Sequence, residues 1–414
     1  MVAQEEEMIA VTVSAAPPPL PEVVVNSAAV THVAGATRTA RPLAIHRKLP
    51  AYAPSPLVES SSIASRLGVR RVWVKDESWR LGLPSFKILG ASYAIYCALI
   101  DRLGHEITWS SVEDLKTAID PLRPITFVAA TDGNHGRAVA RMAKLLQCPA
   151  KIYVPEGTIP ARISAIKSEG AVVEIVRGDY DAAIRRSAQD EDEHTLVISD
   201  TSWPGYTSIP RRVIEGYSTI FFEASEQLAG HGSPEPSLIV VPVGVGALAA
   251  AVINYYKPEL GDGVRPIVIG VEPVTANCVQ SSIREGRLVT VPGPHHSIMA
   301  GLNCGTPSAV AWPFVSQGLD VVVAIDDEWS RRAMRELADI GVISGESGAA
   351  SLGGLLALCD HRAPTAWRER LHLDENAVIL LLSTEGATDP EGWARIVGRS
   401  VPVHEEAVGV KPGS

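Results

Sequence analysis

Ser85-Phe86-Lys87-Ile88-Leu89-Gly90-Ala91 sets one lysine between a small polar residue and a Gly-Ala pair, a composition suited to tight helix packing. A lysine amine attacks a carbonyl only when unprotonated, which requires desolvation or a neighbouring cation, and its usual targets are substrate carbonyls and aldehyde cofactors. Most lysines are solvated surface charges. Lys87 is therefore a candidate nucleophile only in the company of other unusual segments, and three loops supply it.

The first, Thr131-Asp132-Gly133-Asn134-His135-Gly136, follows an apolar run and opens a helical pattern. Backbone amides at a helix start can grip an anion such as an α-carboxylate, although the same residue types also make ordinary turns. His135 is either a proton carrier or a packed turn histidine. The second loop, Gly244-Val245-Gly246-Ala247-Leu248, brings consecutive amides to a helix start and suits a phosphate dianion. It has neither GxGxxG spacing nor a Walker lysine, which disfavours dinucleotides and nucleoside triphosphates. The third loop is Ser383-Thr384-Glu385-Gly386-Ala387-Thr388-Asp389. Its hydroxyls could face a ring nitrogen, or Thr388 or Asp389 could simply cap a helix. Ser344-Gly345-Glu346-Ser347-Gly348 suits close packing or a ligand wall.

The elements that must position these loops read as α/β. A helix near residues 61–67 and an alternating strand at 71–75 precede the lysine segment, which leads into a helix at about 86–99. Short apolar strands at 125–130, 151–155, 171–176 and 195–199 then alternate with helices at 136–146, 160–169 and 180–189. One long helix is expected at 210–228, followed by strands at 238–243, 266–271, 321–325 and 377–382. All-apolar strands alternating with helices predict two doubly wound domains with largely parallel sheets and a ligand cleft between them. The expected division is a flexible tail over 1–35, a discontinuous large domain over 36–89 and 204–400, an inserted small domain over 90–203, and a C-terminal tail over 401–414. The segment 107–124 looks like an insertion.

Composition narrows the partners. Across 414 residues, 46% are hydrophobic and 20% charged, the balance of a globular protein, and 37 basic against 47 acidic side chains give a formal charge of −10. That charge disfavours nucleic acid and anionic membranes and favours a small-molecule ligand. Leu238 to Tyr256 is long and apolar, but Pro242, Gly244 and Gly246 break it into a strand, a turn and a helix. Cys97, Cys148, Cys278, Cys304 and Cys359 have neither zinc nor disulfide spacing, so no metal is expected and a cytoplasmic location is the default.

Taken in order, the lysine, the Asn-bearing turn, the glycine loop and the late Ser loop resemble the type II pyridoxal-phosphate fold, the tryptophan synthase β-subunit superfamily. Within it, Lys75-Asp76-Glu77-Ser78, Arg80-Leu81-Gly82-Leu83, Thr131 to Arg137, Ile298 to Gly305 and Ser344 to Gly348 resemble the diaminopropionate ammonia-lyase family. Ser85, Ala387 and His295-His296-Ser297 depart from that family's pattern.

The resemblance implies pyridoxal 5′-phosphate joined to Lys87 as a Schiff base, with its phosphate on Gly244, Val245, Gly246, Ala247 and Leu248. It places Asn134 at the ring 3′-oxygen and Ser383, or less favourably Thr384, at the pyridine nitrogen. Thr131, Asp132, Gly133, Asn134, His135 and Ser344 would meet the substrate. A hydroxyl at the ring nitrogen makes a weak electron sink, which favours β-elimination over racemisation. Asp132 would either take the α-proton of a D-substrate on the face opposite Lys87 or bind a β-ammonium group, and Lys87 would be the base for an L-substrate. The implied activity is elimination of ammonia from 2,3-diaminopropionate by a homodimer. The alternatives are a related elimination or replacement on serine, threonine or hydroxyaspartate, and a catalytically inactive binding relative.

Overall fold

A strand covered on both faces must be apolar throughout, and the apolar runs of this chain build two sheets on that principle. The computed structural model describes residues 17–131, 133–261 and 265–402. Its strands are β1 (Glu22–Val25), β2 (Leu57–Glu59), β3 (Arg71–Asp76), β4 (Thr126–Ala130), β5 (Ala150–Pro155), β6 (Val172–Val176), β7 (Thr195–Val197), β8 (Leu238–Pro242), β9 (Ile267–Pro273), β10 (Val321–Ile325) and β11 (Val378–Ser383). The small sheet runs β6-β5-β4-β7, parallel throughout. The large sheet runs β1-β10-β9-β8-β11-β3-β2, and only its two edge pairings are antiparallel.

The chain leaves the large sheet after β3, builds the small sheet, and returns at β8. Register fixes where the chemistry sits: β3 and β11 pair in parallel with Val378 opposite Arg71 and Ser383 opposite Asp76. The carboxyl ends of these two strands therefore lie side by side, so the segment leading to Lys87 and the loop after Ser383 leave the sheet together. Ser85 and Glu385 form a backbone bridge just beyond it.

Two expectations need correction. Residues 17–35 do not form a free tail. β1 pairs with β10, Asn26 Nδ2 donates to the Leu319 carbonyl at 2.7 Å, and Trp329 Nε1 donates to the Pro19 carbonyl at 2.8 Å. Four strand residues are too few to display a period, and the partner strand provides the order. The remaining tail residues 1–16, and 403–414, lie outside the described residues. The single helix expected over 210–228 is two, Ser208–Gly216 and Ser218–Gly230, joined at Tyr217. Glycine weakens the helix at 216, where a Cβ would stand 2.5 Å from the Leu89 carbonyl oxygen and 2.9 Å from Gly90 Cα. The segment 107–124, which reads as an insertion, carries structure of its own: a Ser111/Asp114 capping box starts the helix Val112–Ala118, and Trp109, Leu115 and Ile119 are buried.

Leu238 to Tyr256 is β8, a turn and the helix Ala247–Tyr256. Among the described residues no helix is long and apolar enough to cross a membrane.

Candidate active site

Lys87 is the first residue of the helix Lys87–Leu103 and lies on the wall of a cavity of about 720 Å³. Its Nζ donates to Asp200 Oδ2 at 2.6 Å. Asp200 stands three residues beyond the end of β7, at the carboxyl edge of the small sheet, and is buried. Its other oxygen accepts the Tyr180 hydroxyl at 3.0 Å, and His135 Nδ1 lies 3.9 Å from Oδ2. Burial opposes ionisation of Asp200, but Lys87, His135 and the Tyr180 hydrogen bond outweigh it and hold the carboxyl well below the usual range. The pair is thus an ammonium and a carboxylate at the edge of an open cavity.

The glycine loop faces the same space, and all five residues from Gly244 to Leu248 line it. Gly246, at φ +93°, turns the chain into the helix Ala247–Tyr256. The first amides of that helix have no intrahelical acceptor and lie at the positive end of its dipole. Gly244 is hemmed in, since a Cβ there would sit 3.2 Å from both Cys304 Sγ and the Gly301 oxygen. An amide cradle for a dianion, a lysine amine and ring-sized space between them suit the donor set of pyridoxal phosphate. Cys278 and Cys304, beside this loop, form no disulfide, and burial pushes the Cys278 thiol well up.

Asn134 begins the helix Asn134–Leu146 and also lines the cavity. Its Nδ2 donates to Glu385 Oε2 at 2.5 Å, while Glu385 Oε1 accepts the Ser347 N–H at 3.0 Å. One carboxylate thereby ties the small-sheet helix to the loop after β11. Thr384 lines the cavity too. Close by, burial together with Glu385 pushes the Glu346 carboxyl up to about 7.

Five expected ligand contacts stand behind the wall instead. Thr131 accepts the Gly133 N–H at 2.9 Å, and its methyl group occupies the space where a Cβ on Gly136 would be, 2.4 Å away. Both Thr131 and Gly133 are thus committed to shaping the turn. His135 is a packed turn histidine whose Nε2–H donates to the Ile198 carbonyl at 2.8 Å. Ser383 donates to Ser344 Oγ at 2.9 Å, and both are fully buried. The two hydroxyls satisfy each other because β11 carries Ser383 inside the sheet, leaving Thr384 as the first residue to reach the cavity. Asp132 lies outside the described residues.

Three residues in this site escape a reading of the sequence. Asp200 follows a strand end, as the other loops do, and that rule alone would have flagged it. Glu385 sits inside the loop after β11 but between more conspicuous hydroxyls. Tyr217 lies in what reads as an uninterrupted helix, with no local signal.

The comparisons agree with this geometry. Residues 48–384 match the family model described as pyridoxal-phosphate dependent enzyme. The diaminopropionate ammonia-lyase of Salmonella typhimurium is 39% identical over 373 residues, covering 86% of this chain and 92% of that protein. The crystal structure of the Escherichia coli diaminopropionate ammonia lyase in complex with D-serine superposes with a TM-score of 0.83 at 34% identity, covering 91% of this chain and 96% of that one. The same enzyme in complex with an aminoacrylate-PLP azomethine reaction intermediate gives 0.82 at 34% identity, covering 92% and 97%. The α/β architecture, the lysine and glycine-loop cavity and these likenesses agree: the chain belongs to the pyridoxal-phosphate-dependent enzymes and, among them, to the diaminopropionate ammonia-lyases.

Proposed function

We propose that this protein eliminates ammonia from D- and L-2,3-diaminopropionate, with pyridoxal phosphate joined to Lys87. The observation that carries the reading is the Lys87–Asp200 ion pair facing the glycine loop across one cavity. Gly244 to Leu248 would hold the cofactor phosphate, Asn134 the ring 3′-oxygen, and Thr384, or Ser383 after a shift of its hydroxyl, the ring nitrogen. When bound, the cofactor supplies a conjugated system that accepts the electron pair left at the substrate Cα.

Asp200 then carries the specificity. With the Lys87 amine taken up by the cofactor, Asp200 would keep Tyr180 and His135 and lose the ammonium of Lys87. A buried carboxylate deprived of its cation costs about 3–5 kcal/mol, and a substrate β-ammonium restores the pair. Serine and threonine lack that group. Held as an ammonium, the β-nitrogen departs as neutral ammonia, taking the C–N electron pair with it. As a free amine, Lys87 takes the Cα proton of the L-enantiomer on its own face, and Asp132 takes that of the D-enantiomer from the other. The released 2-aminoacrylate hydrolyses to pyruvate and a second ammonium.

The reading includes a homodimer in a reducing cytoplasm. Five cysteines outside any disulfide support the compartment, and light scattering of the purified protein tests the dimer. The deciding experiment is pyruvate and ammonium release from each diaminopropionate enantiomer beside L-serine and L-threonine. Two ammonium ions per pyruvate from both enantiomers is the expected result. Turnover of serine or threonine alone would overturn the substrate assignment.

A further inference from the structure

Tyr217 joins the two helices Ser208–Gly216 and Ser218–Gly230, and its ring reaches the cavity beside Lys87. The chain makes room for it at some cost in helix propensity. A Cβ on Gly90 would stand 2.6 Å from Tyr217 Cε1 and 2.8 Å from Cζ, so the hydroxyl-bearing end of the ring lies directly over this glycine. Gly90 is one helical turn beyond Lys87 and on the same face of the lysine helix. Gly216, pressed against Leu89 and Gly90, brings the two helices close enough for that contact. Phe86 packs on the ring from the other direction, with centroids 4.6 Å apart.

The tyrosine is therefore clamped, and its polar atom is left over. Tyr217 is fully buried, and among the described residues its hydroxyl has no hydrogen-bond partner. An unmade hydrogen bond in a dry site is costly, and natural structures leave few without a reason. Other tyrosine hydroxyls near this cavity are used: Tyr180 donates to Asp200, and Tyr206 donates to the Val197 carbonyl. Asp200, the carboxylate whose charge acts on Tyr217, is already engaged by Lys87 and Tyr180.

We propose that the Tyr217 hydroxyl is a ligand-binding group of this site, donating a hydrogen bond to an anionic oxygen of the molecule bound over Lys87. Two such oxygens come with the proposed function, on which this inference rests: the cofactor's ring oxygen and the substrate's carboxylate. Burial pushes the phenol far above its ordinary range, so it stays protonated at neutral pH and acts as a donor rather than a base. The role differs from that of Asp200, which takes the cationic end of the substrate.

The test uses the full-length protein with Tyr217→Phe, which keeps the ring, the Phe86 contact and the fit over Gly90 while removing the donor. A hydrogen bond to a charged acceptor is worth about tenfold to a hundredfold in affinity. If the ring oxygen is the acceptor, Tyr217→Phe weakens loading of pyridoxal phosphate by that factor and shifts the pH titration of its visible absorption band. If the carboxylate is the acceptor, loading is unchanged and spectroscopic binding of D-serine to the loaded enzyme weakens instead. Thermal unfolding of the cofactor-free variant should match or exceed that of the parent, whereas a purely structural tyrosine would lower it. Should the variant fail to fold, 3-fluorotyrosine placed at 217 reports the same steps by its fluorine resonance. Loading and D-serine binding both within about twofold of the parent would overturn the proposal, as would a fluorine signal unmoved by either ligand. A parent protein that never takes up the cofactor would instead overturn the proposed function itself.

Discussion

Two lysines of this protein sit beside buried carboxylates and serve opposite ends. Lys75, on β3, is sealed in: its three ammonium protons go to the Ser55 carbonyl at 2.8 Å, Glu223 Oε2 at 3.0 Å and Gln227 Oε1 at 2.8 Å. Arg80 completes the cluster through Glu77, Glu223, Ser55 and the Ala53 carbonyl. Nothing is left for a ligand. These bonds pin the residues after β3 to the helix Ser218–Gly230, and the chain between them runs on to Lys87. Lys87, at 20% side-chain exposure, opens onto the cavity and pairs with a carboxylate from the other sheet. Charges saturated in the core fix the position of a loop, and a charge at a cavity wall is within reach of a ligand.

The comparison breaks most sharply at Lys87. Lys87→Ala is expected to lower kcat/KM on diaminopropionate by about a thousandfold or more, because one residue serves as both attachment point and base. Its urea midpoint should fall as well, because buried Asp200 is left without its cation, so turnover is compared per folded molecule. Retained activity would remove Lys87 from the mechanism. Lys75→Met should cost stability without removing turnover. It leaves Glu223 and Glu77 facing Arg80 with one cation missing, at a cost of about 3–5 kcal/mol in unfolding free energy. Turnover per folded molecule should persist, and a fully stable variant would show that the sealed cluster is not structural.

A smaller effect sharpens the distinction within the cavity's own supports. Burial, Glu385 and Asp389 push the Glu346 carboxyl up to about 7, against a backbone hydrogen bond and Arg162. An acid whose native pKa is raised keeps its proton in the folded state where the unfolded chain has already lost it. Its contribution is thus fully present below the ordinary value of 4.5 and is lost as pH rises through about 7. Glu346→Gln should therefore stabilise the protein at pH 8 by about 1–3 kcal/mol and hardly at all below pH 4, as read from urea titrations at each pH. An equal effect at both pH values would mean that the carboxyl is not titrating in this window.

Much of the site was legible because its parts are local. Lys87, Asn134 and the glycine loop each belong to a short segment whose residue types suit only a few uses, and the structure gathers them on one cavity. Ser383 and Ser344 show the limit of that reasoning. Each is a hydroxyl in a conspicuous loop, and only the register of β11 reveals that they face each other inside the protein. Asp200 needed the end of β7 to be placed near the start of the lysine helix, 113 residues away in sequence.

The sequence by itself determined the alternation of apolar strands and helices, the lysine at a tight helix start, and the amide-rich turn that suits a phosphate. Periodicity and turn chemistry act within a few residues, so a single chain read from end to end displays them. Tertiary structure alone decided which carboxylate meets Lys87, how Asn134 is held by Glu385, and that a glycine on each of two helices makes room for the Tyr217 ring at the cavity wall. Those outcomes depend on which sheet edges and helix faces approach one another. Packing between distant segments settles that, and no local pattern encodes it.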